Sequence, residues 1–198
     1  MKHVFVVALI AIGLLAKAQT NVPASPKDIA PLLVGENIPD ITLKSLENVD
    51  VNLLKLIGNK KTILVFYRGG WCPYCNAQLS ALGEAEKEIL TLGYQIVAVS
   101  PDAPKNLKVT GEESKLNYQL LSDSKSELSK AMGIAFKAPD NYEPYLSKGS
   151  EGVNTSLLPV PAVFIVTTKG VIQFEHINPD YKERISTPLL IAVAKALK

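Results

Sequence analysis

The 198-residue chain has only two cysteines, and they lie three positions apart in Cys72-Pro73-Tyr74-Cys75. The thiolate is the reactive form of cysteine, so two properties of such a pair decide its chemistry: what lowers a pKa, and whether the two sulfurs can meet. Pro73 suits the first position of a helix, because its missing N–H would have had no partner there and its φ is preset for helix. That makes Cys72 the expected N-cap, where unsatisfied backbone N–H groups and the positive end of the helix dipole favour a thiolate. Cys75 falls in the same first turn and can reach back to close a small disulfide ring. Arg68, just upstream, is a cation able to favour either thiolate or to hold an anionic substrate. Trp71 and Tyr74 are expected either to form an apolar rim for docking substrates or to support the core.

Other uses of two cysteines compete with redox chemistry. A structural zinc site takes four ligands, whereas this chain has no third cysteine and, beyond residue 18, only His176. A c-type haem site needs His directly after the second cysteine, where Asn76 stands. A purely structural disulfide remains open in an oxidising compartment, although so small a loop removes little entropy from the unfolded chain. The spacing favours a redox-active dithiol needing neither metal nor cofactor.

The surrounding pattern supplies elements to position that pair. Residues 62–67 (TILVFY) are a continuous apolar run, as in a parallel strand buried on both faces. After the loop Arg68-Gly69-Gly70-Trp71, helical spacing places Cys75, Leu79, Leu82, Ala85 and Ile89 on one face and turns Glu84, Lys87 and Glu88 to water, with Gly93 as the stop. Residues 95–100 (QIVAVS) form the next buried strand. Strand, helix and strand make a right-handed βαβ unit, with the cysteines in the crevice at the strand's C-terminal end. Before this unit, residues 38–51 read as a small hairpin turning at Glu47-Asn48. After it come a short strand at 118–122, a helix capped by Asp123 or Ser124 that runs to Met132, and a stop at Gly133. Residues 162–167 and 171–175 form a hairpin around Thr168-Lys169-Gly170, and Thr187-Pro188 opens a last helix over 189–197. Residues 137–159 are long for a connection and read as an insertion near a functional edge.

Composition agrees with one globular domain: 47% of residues are hydrophobic and 20% charged. Residues 1–18 stand apart, with Lys2, an apolar run over 4–15 and the small-x-small pattern Ala16-Lys17-Ala18. This is the pattern of a signal peptide cleaved before Gln19, so the protein is expected to be exported, periplasmic or secreted. The apolar run is short for a span, and no cysteine follows the cut to carry a lipid. Residues 19–35, with Pro23, Pro26 and Pro31, form an extended lead-in, and 36–198 form the domain. Losing Lys2 and Lys17 leaves nineteen basic against nineteen acidic residues. That balance, with no basic run, excludes a nucleic-acid partner, and no membrane span is expected after cleavage.

The segment Phe66-Tyr67-Arg68-Gly69-Gly70-Trp71-Cys72-Pro73-Tyr74-Cys75 resembles the active-site segment of the thioredoxin superfamily, in its peroxiredoxin-like (alkyl hydroperoxide reductase/thiol-specific antioxidant) branch. The resemblance runs from about Val34 and takes in Gly35 to Pro39, the VAVS strand, and Val160-Pro161-Ala162-Val163-Phe164-Ile165-Val166 followed by Lys169-Gly170. It implies an α/β thioredoxin-like fold, a central mixed sheet flanked by helices, with an N-terminal hairpin extension. By the same resemblance Cys75 matches the peroxidatic position. Arg68 stands where that branch has Pro, Cys72 where it has Thr, and Pro161 near where its Arg falls, so slow reaction with peroxide is expected. Pro161 resembles the cis-proline that thioredoxins hold opposite their disulfide, and is expected cis and packed beside the cysteines. Phe66 occupies the place of thioredoxin's buried acid, so another group or water must move the inner thiol's proton.

Dithiol-disulfide exchange therefore stands first, with Cys72 attacking a substrate disulfide and Cys75 resolving the mixed disulfide. Second stands a thiol peroxidase, in which Cys75 becomes a sulfenic acid and condenses with Cys72. Third is a non-catalytic exported binding module with a structural disulfide. The expected partners are protein disulfides or dithiols, or a hydroperoxide, together with an upstream thiol redox partner.

Overall fold

The computed structural model describes residues 22–197. The expected signal peptide, 1–18, and its cleavage site lie outside the described residues. In chain order the elements are β1 (Thr42–Lys44), β2 (Asp50–Asn52), α1 (Leu53–Ile57), β3 (Lys61–Phe66), α2 (Pro73–Thr91), β4 (Tyr94–Ser100), α3 (Pro104–Glu113), β5 (Gln119–Ser122) and α4 (Glu127–Ala131). They continue with β6 (Ala135–Lys137), a 3-10 turn at Asp140–Tyr142, α5 (Glu143–Gly149), β7 (Leu157–Pro159), β8 (Ala162–Val166), β9 (Ile172–Ile177) and α6 (Thr187–Ala196).

Seven strands form one mixed sheet in the order β2-β1-β5-β4-β3-β8-β9. The central strands β3, β4 and β5 are parallel, as the buried apolar runs require, while β1, β8 and β9 add antiparallel neighbours. Alternation along β3 divides the core. Ile63, Val65 and Tyr67 face the cluster that includes Leu79, Leu82, Leu107 and Leu190 of α2, α3 and α6, whereas Leu64 and Phe66 face Leu53, Ile57 and Leu128 of α1 and α4. The sheet is thus covered by helices on both faces, and β3 delivers its C-terminal end to the cysteine loop.

Several boundaries differ from the sequence reading. Helix α3 was not expected: apart from Leu107 its residues are mainly polar or exposed, so periodicity is faint, and its only start signal is Pro104. The last helix is capped one residue earlier, by Ser186, whose Oγ accepts from the Leu189 N–H. Residues 137–159 are not a bare insertion. β6 pairs with β7, and Phe136, Leu146, Leu158 and Val160 make a third small core. The lead-in packs on the body, with the Lys137 N–H donating to the Pro23 carbonyl and the Leu32 N–H to that of Met132. The hairpin extension is a true edge of the main sheet, joined to it where Lys44 pairs with Ser122.

The expected cis bond is corrected as well: Val160–Pro161 is trans. The chain here runs on from β7 into β8, with the Val160 N–H donating to the Ile134 carbonyl and the Pro161 carbonyl accepting from Asn178 N–H. An extended trans peptide serves that continuity, and Pro161 packs in the wall of a cavity beside Arg68.

Helix α4 follows Ser126, which has left-handed backbone (φ 54) and makes no side-chain cap. The cap comes instead from buried Asp123, which accepts from the Leu128 N–H (3.0 Å), the Ser129 N–H (2.8 Å) and the Ser129 hydroxyl (2.6 Å). Asp123→Ala leaves these buried donors unpaired and is expected to cost about 1–3 kcal/mol. A lowered urea midpoint is the predicted result, and an unchanged midpoint contradicts it.

Candidate active site

The loop between β3 and α2 is shaped by contacts that exclude larger side chains. Gly69 has φ +141, and a Cβ there would run into the Trp71 indole; a Cβ on Gly70 would strike the Thr110 hydroxyl of α3. The Gly70 N–H donates to Asp102 Oδ2 at 2.7 Å, and Asn76 Nδ2 donates to the Gly70 carbonyl at 2.7 Å. The Cys72 N–H closes the turn on the Gly69 carbonyl at 3.1 Å. Cys72 is then the N-cap of α2, with extended backbone (φ −94, ψ 113) and Pro73 at the first helical position, as its residue type required.

Both sulfurs are reduced and closed to solvent, Cys72 at 1% and Cys75 at 0% exposure. The Cys72 thiol is brought down to about 6. The first cause is a hydrogen bond from the Cys75 thiol; burial opposes it, and the Arg68 and Arg184 guanidiniums add to the lowering. The backbone N–H of Cys75, in the first turn of α2, lowers it more than either guanidinium does, so the helix start acts beside the neighbouring thiol. Cys75 is pushed well up by burial and then by Cys72, with Arg184 pulling the other way. The pair therefore holds one proton between two sulfurs, mainly on Cys75.

Arg184 was not found from the sequence. It sits in the loop between β9 and α6, 109 residues from Cys75, and its Nη2 donates to the Cys75 sulfur at 3.5 Å. Its Nε and Nη1 are buried and unpartnered among the described residues. No spacing rule links the two; only the β3-β8-β9 order brings that loop to the cysteines. Arg68 is 3% exposed, and its guanidinium carbon lies 4.1, 4.4 and 5.0 Å from the rings of Tyr181, Tyr142 and Trp71. Trp71 also stacks on Tyr142 and Tyr145, at centroid distances of 5.7 and 5.2 Å. Half-exposed Tyr74 meets Tyr181 edge-on. Of the residues expected at the site, Cys72, Cys75, Arg68, Trp71, Pro73 and Tyr74 come together; Pro161 borders Arg68. Asp102, also missed, pins the loop, and its carboxyl is pushed up to about 6 by burial.

This geometry can hold a thiolate, present N–H donors to an anion and close a disulfide within one helical turn. Comparison with known proteins shows the family and the fold. The AhpC/TSA family model matches residues 34–175. Peroxiredoxin Bcp of Escherichia coli is 25% identical over 152 residues, which cover 77% of this chain and 88% of that protein. The chloroplastic peroxiredoxin Q of Sedum lineare is 30% identical over 155 residues, 78% of this chain and 74% of the relative. Among solved structures, reduced Prx3 of Vibrio vulnificus superposes with a TM-score of 0.71 at 18% identity, covering 83% of this chain and 99% of its own, a likeness of fold.

In the reduced protein the thiolate ultraviolet absorbance is expected to appear above about pH 6 and to be lost below it. Cys72→Ser should abolish that low-pH step, and Cys75→Ser should keep a thiolate at Cys72. A first midpoint near the ordinary value of about 8.5 contradicts this assignment.

Proposed function

The chain belongs to the AhpC/TSA family and is a peroxiredoxin-like oxidoreductase, and from that premise we propose that it is a thiol peroxidase in which Cys75 reduces a hydroperoxide and Cys72 resolves it. This reverses the order expected from the sequence, where disulfide exchange stood first. The observation that carries the reading is Arg184, whose guanidinium touches the Cys75 sulfur while two of its nitrogens stay unpaired. Those donors are placed to hold the oxygens of a peroxide against Cys75 and to stabilise charge as it develops on the leaving oxygen. They supply the cation for which Pro161 left no residue.

The chemistry starts from the pair that shares one proton. As the proton passes to Cys72, the Cys75 thiolate attacks the terminal oxygen of the hydroperoxide; the S–O bond forms and the O–O bond breaks. The alkoxide takes the proton from Cys72 and leaves as the alcohol. Cys72, again a thiolate, attacks the Cys75 sulfenic acid; the S–S bond forms, and hydroxide leaves as water with a proton from solvent. An external thiol reductant then restores both thiols.

Disulfide exchange remains a second reading on one observation, the acidity of Cys72 at the start of α2. Under it, Cys75→Ser captures protein partners on Cys72 as mixed disulfides. Export is also proposed, on the basic, apolar and small-residue pattern of residues 1–18. N-terminal sequencing of the mature protein should begin at Gln19, and a mature protein retaining Met1 contradicts it.

Arg184→Met is expected to slow thiol oxidation by hydroperoxide roughly 100-fold, the scale of losing one charge-stabilising donor group. Arg184→Lys should recover part of the rate, since it keeps charge without the planar fork. Wild-type kinetics in Arg184→Met contradict the proposed role.

A further inference from the structure

Arg68 poses an electrostatic problem that the proposed reaction leaves unsolved. A buried guanidinium is costly unless paired and hydrogen-bonded. Yet among the described residues the ion pairs are Lys44–Asp50 and Lys195–Glu88, both far from this residue in the fold. The rings of Tyr181, Tyr142 and Trp71 lie near the guanidinium carbon. They offset part of the charge but do not accept its in-plane N–H groups. Arg68 Nε is buried with no partner among the described residues, like Nε and Nη1 of Arg184. One thiolate at Cys72 is shared between the two cations, and none remains once the disulfide has formed.

The guanidinium borders a cavity of about 160 Å³ whose other walls include Phe136, Pro139, Tyr142, Pro161 and Tyr181, and among the described residues Arg68 is the only charged one lining it. That is below the usual range for drug-sized ligands and fits a short carbon chain. The walls call for an apolar body, and the planar, forked donor set calls for a planar anion that can accept two N–H groups. An inorganic anion leaves the walls unused, and a neutral molecule leaves the cation unpaired.

We propose that Arg68 and this cavity form a subsite for the carboxylate of a short apolar organic acid, so that the neighbouring thiols prefer hydroperoxides that carry a carboxylate. The substrate half of this proposal rests on the peroxidase reading; the binding half does not.

Trp71, the only tryptophan in the chain, reports binding, because its ring lies 5.0 Å from the guanidinium carbon. In the oxidised protein, where no thiolate competes, pentanoate is expected to change Trp71 emission saturably. Pentanamide should have no effect, and acetate should bind several-fold more weakly. Arg68→Gln should abolish the response and Arg68→Lys should weaken it; the three-ligand comparison in the wild-type protein needs no variant to fold. In kinetics, a carboxylate-bearing alkyl hydroperoxide should oxidise the thiols about tenfold faster than its amide counterpart, a difference of about 1.4 kcal/mol. Equal responses to pentanoate and pentanamide, or an unchanged response in a folded Arg68→Gln, overturn the subsite however fast peroxide reacts. Equal rates for the two hydroperoxides overturn the substrate preference. Oxidation by neither hydroperoxide defeats the peroxidase reading, while pentanoate binding still upholds the subsite.

Discussion

Positive charge held out of water beside two thiols is the constraint on which the site turns. Arg68 is buried and Arg184 is partly buried, and neither forms an ion pair with a carboxylate among the described residues. The N-terminus of α2 adds its own dipole. In such surroundings a neutral thiol is the less favoured form of Cys72, and an electron-rich oxygen or carboxylate is a welcome ligand. That positive field loses its counter-charge once the sulfurs join as a neutral disulfide, so the redox state of the pair and the charge it presents to Arg68 and Arg184 change together.

Holding these charges requires a rigid frame, and the core around β3 provides it. Strand β3 is buried on both faces and hydrogen-bonded to β4 and β8. Its end, the Gly69-Gly70 turn, is fixed against α3 by close approach and by the Asp102 carboxylate. The segment from β6 to β7 is tied to α3 through Asn106, whose side chain donates to the Gly149 carbonyl at 2.7 Å, and it contributes Tyr142 and Tyr145 to the rings around Trp71 and Arg68. The loop after β9 brings Tyr181 and Arg184. Residues far apart in the chain thus surround one helix turn, because the strand order places their loops at the same end of the sheet.

What the sequence made legible was local chemistry: the Cys-Pro-Tyr-Cys turn, the capping role of Cys72, the doubly buried run of β3 and the inward face of α2 all follow from residue type and spacing. Long-range neighbours were not legible. Arg184 carries no local signature, and neither do the rings of Tyr142 and Tyr181; only the assembled topology makes them partners of Cys75 and Arg68. Pro161 misled because its motif was matched without its hydrogen bonds, which keep the chain extended between β7 and β8. The preference for exchange over peroxide chemistry came from the N-cap place of Cys72 and from Arg68, Cys72 and Pro161 standing where the peroxiredoxin-like pattern has other residues; the guanidinium of Arg184, from the loop before α6, had no local signal to set against them.

One tension remains within the pair: Cys72 is the more acidic thiol, while Cys75 is the sulfur that Arg184 touches. Acidity decides where the resting thiolate sits; in the proposed reaction the donors around the oxygen decide which sulfur attacks the peroxide, and one proton shift links the two states. Site-resolved mass spectrometry after sulfenic-acid trapping separates them. In Cys72→Ser treated with a stoichiometric hydroperoxide, the trapped sulfenic acid should be found on Cys75, and Cys75→Ser should give none. Trapping on Cys72 in Cys75→Ser, with Cys75 of the other variant unmodified, would show that the acidic thiol is also the attacking one and would contradict the assignment of the two sulfurs.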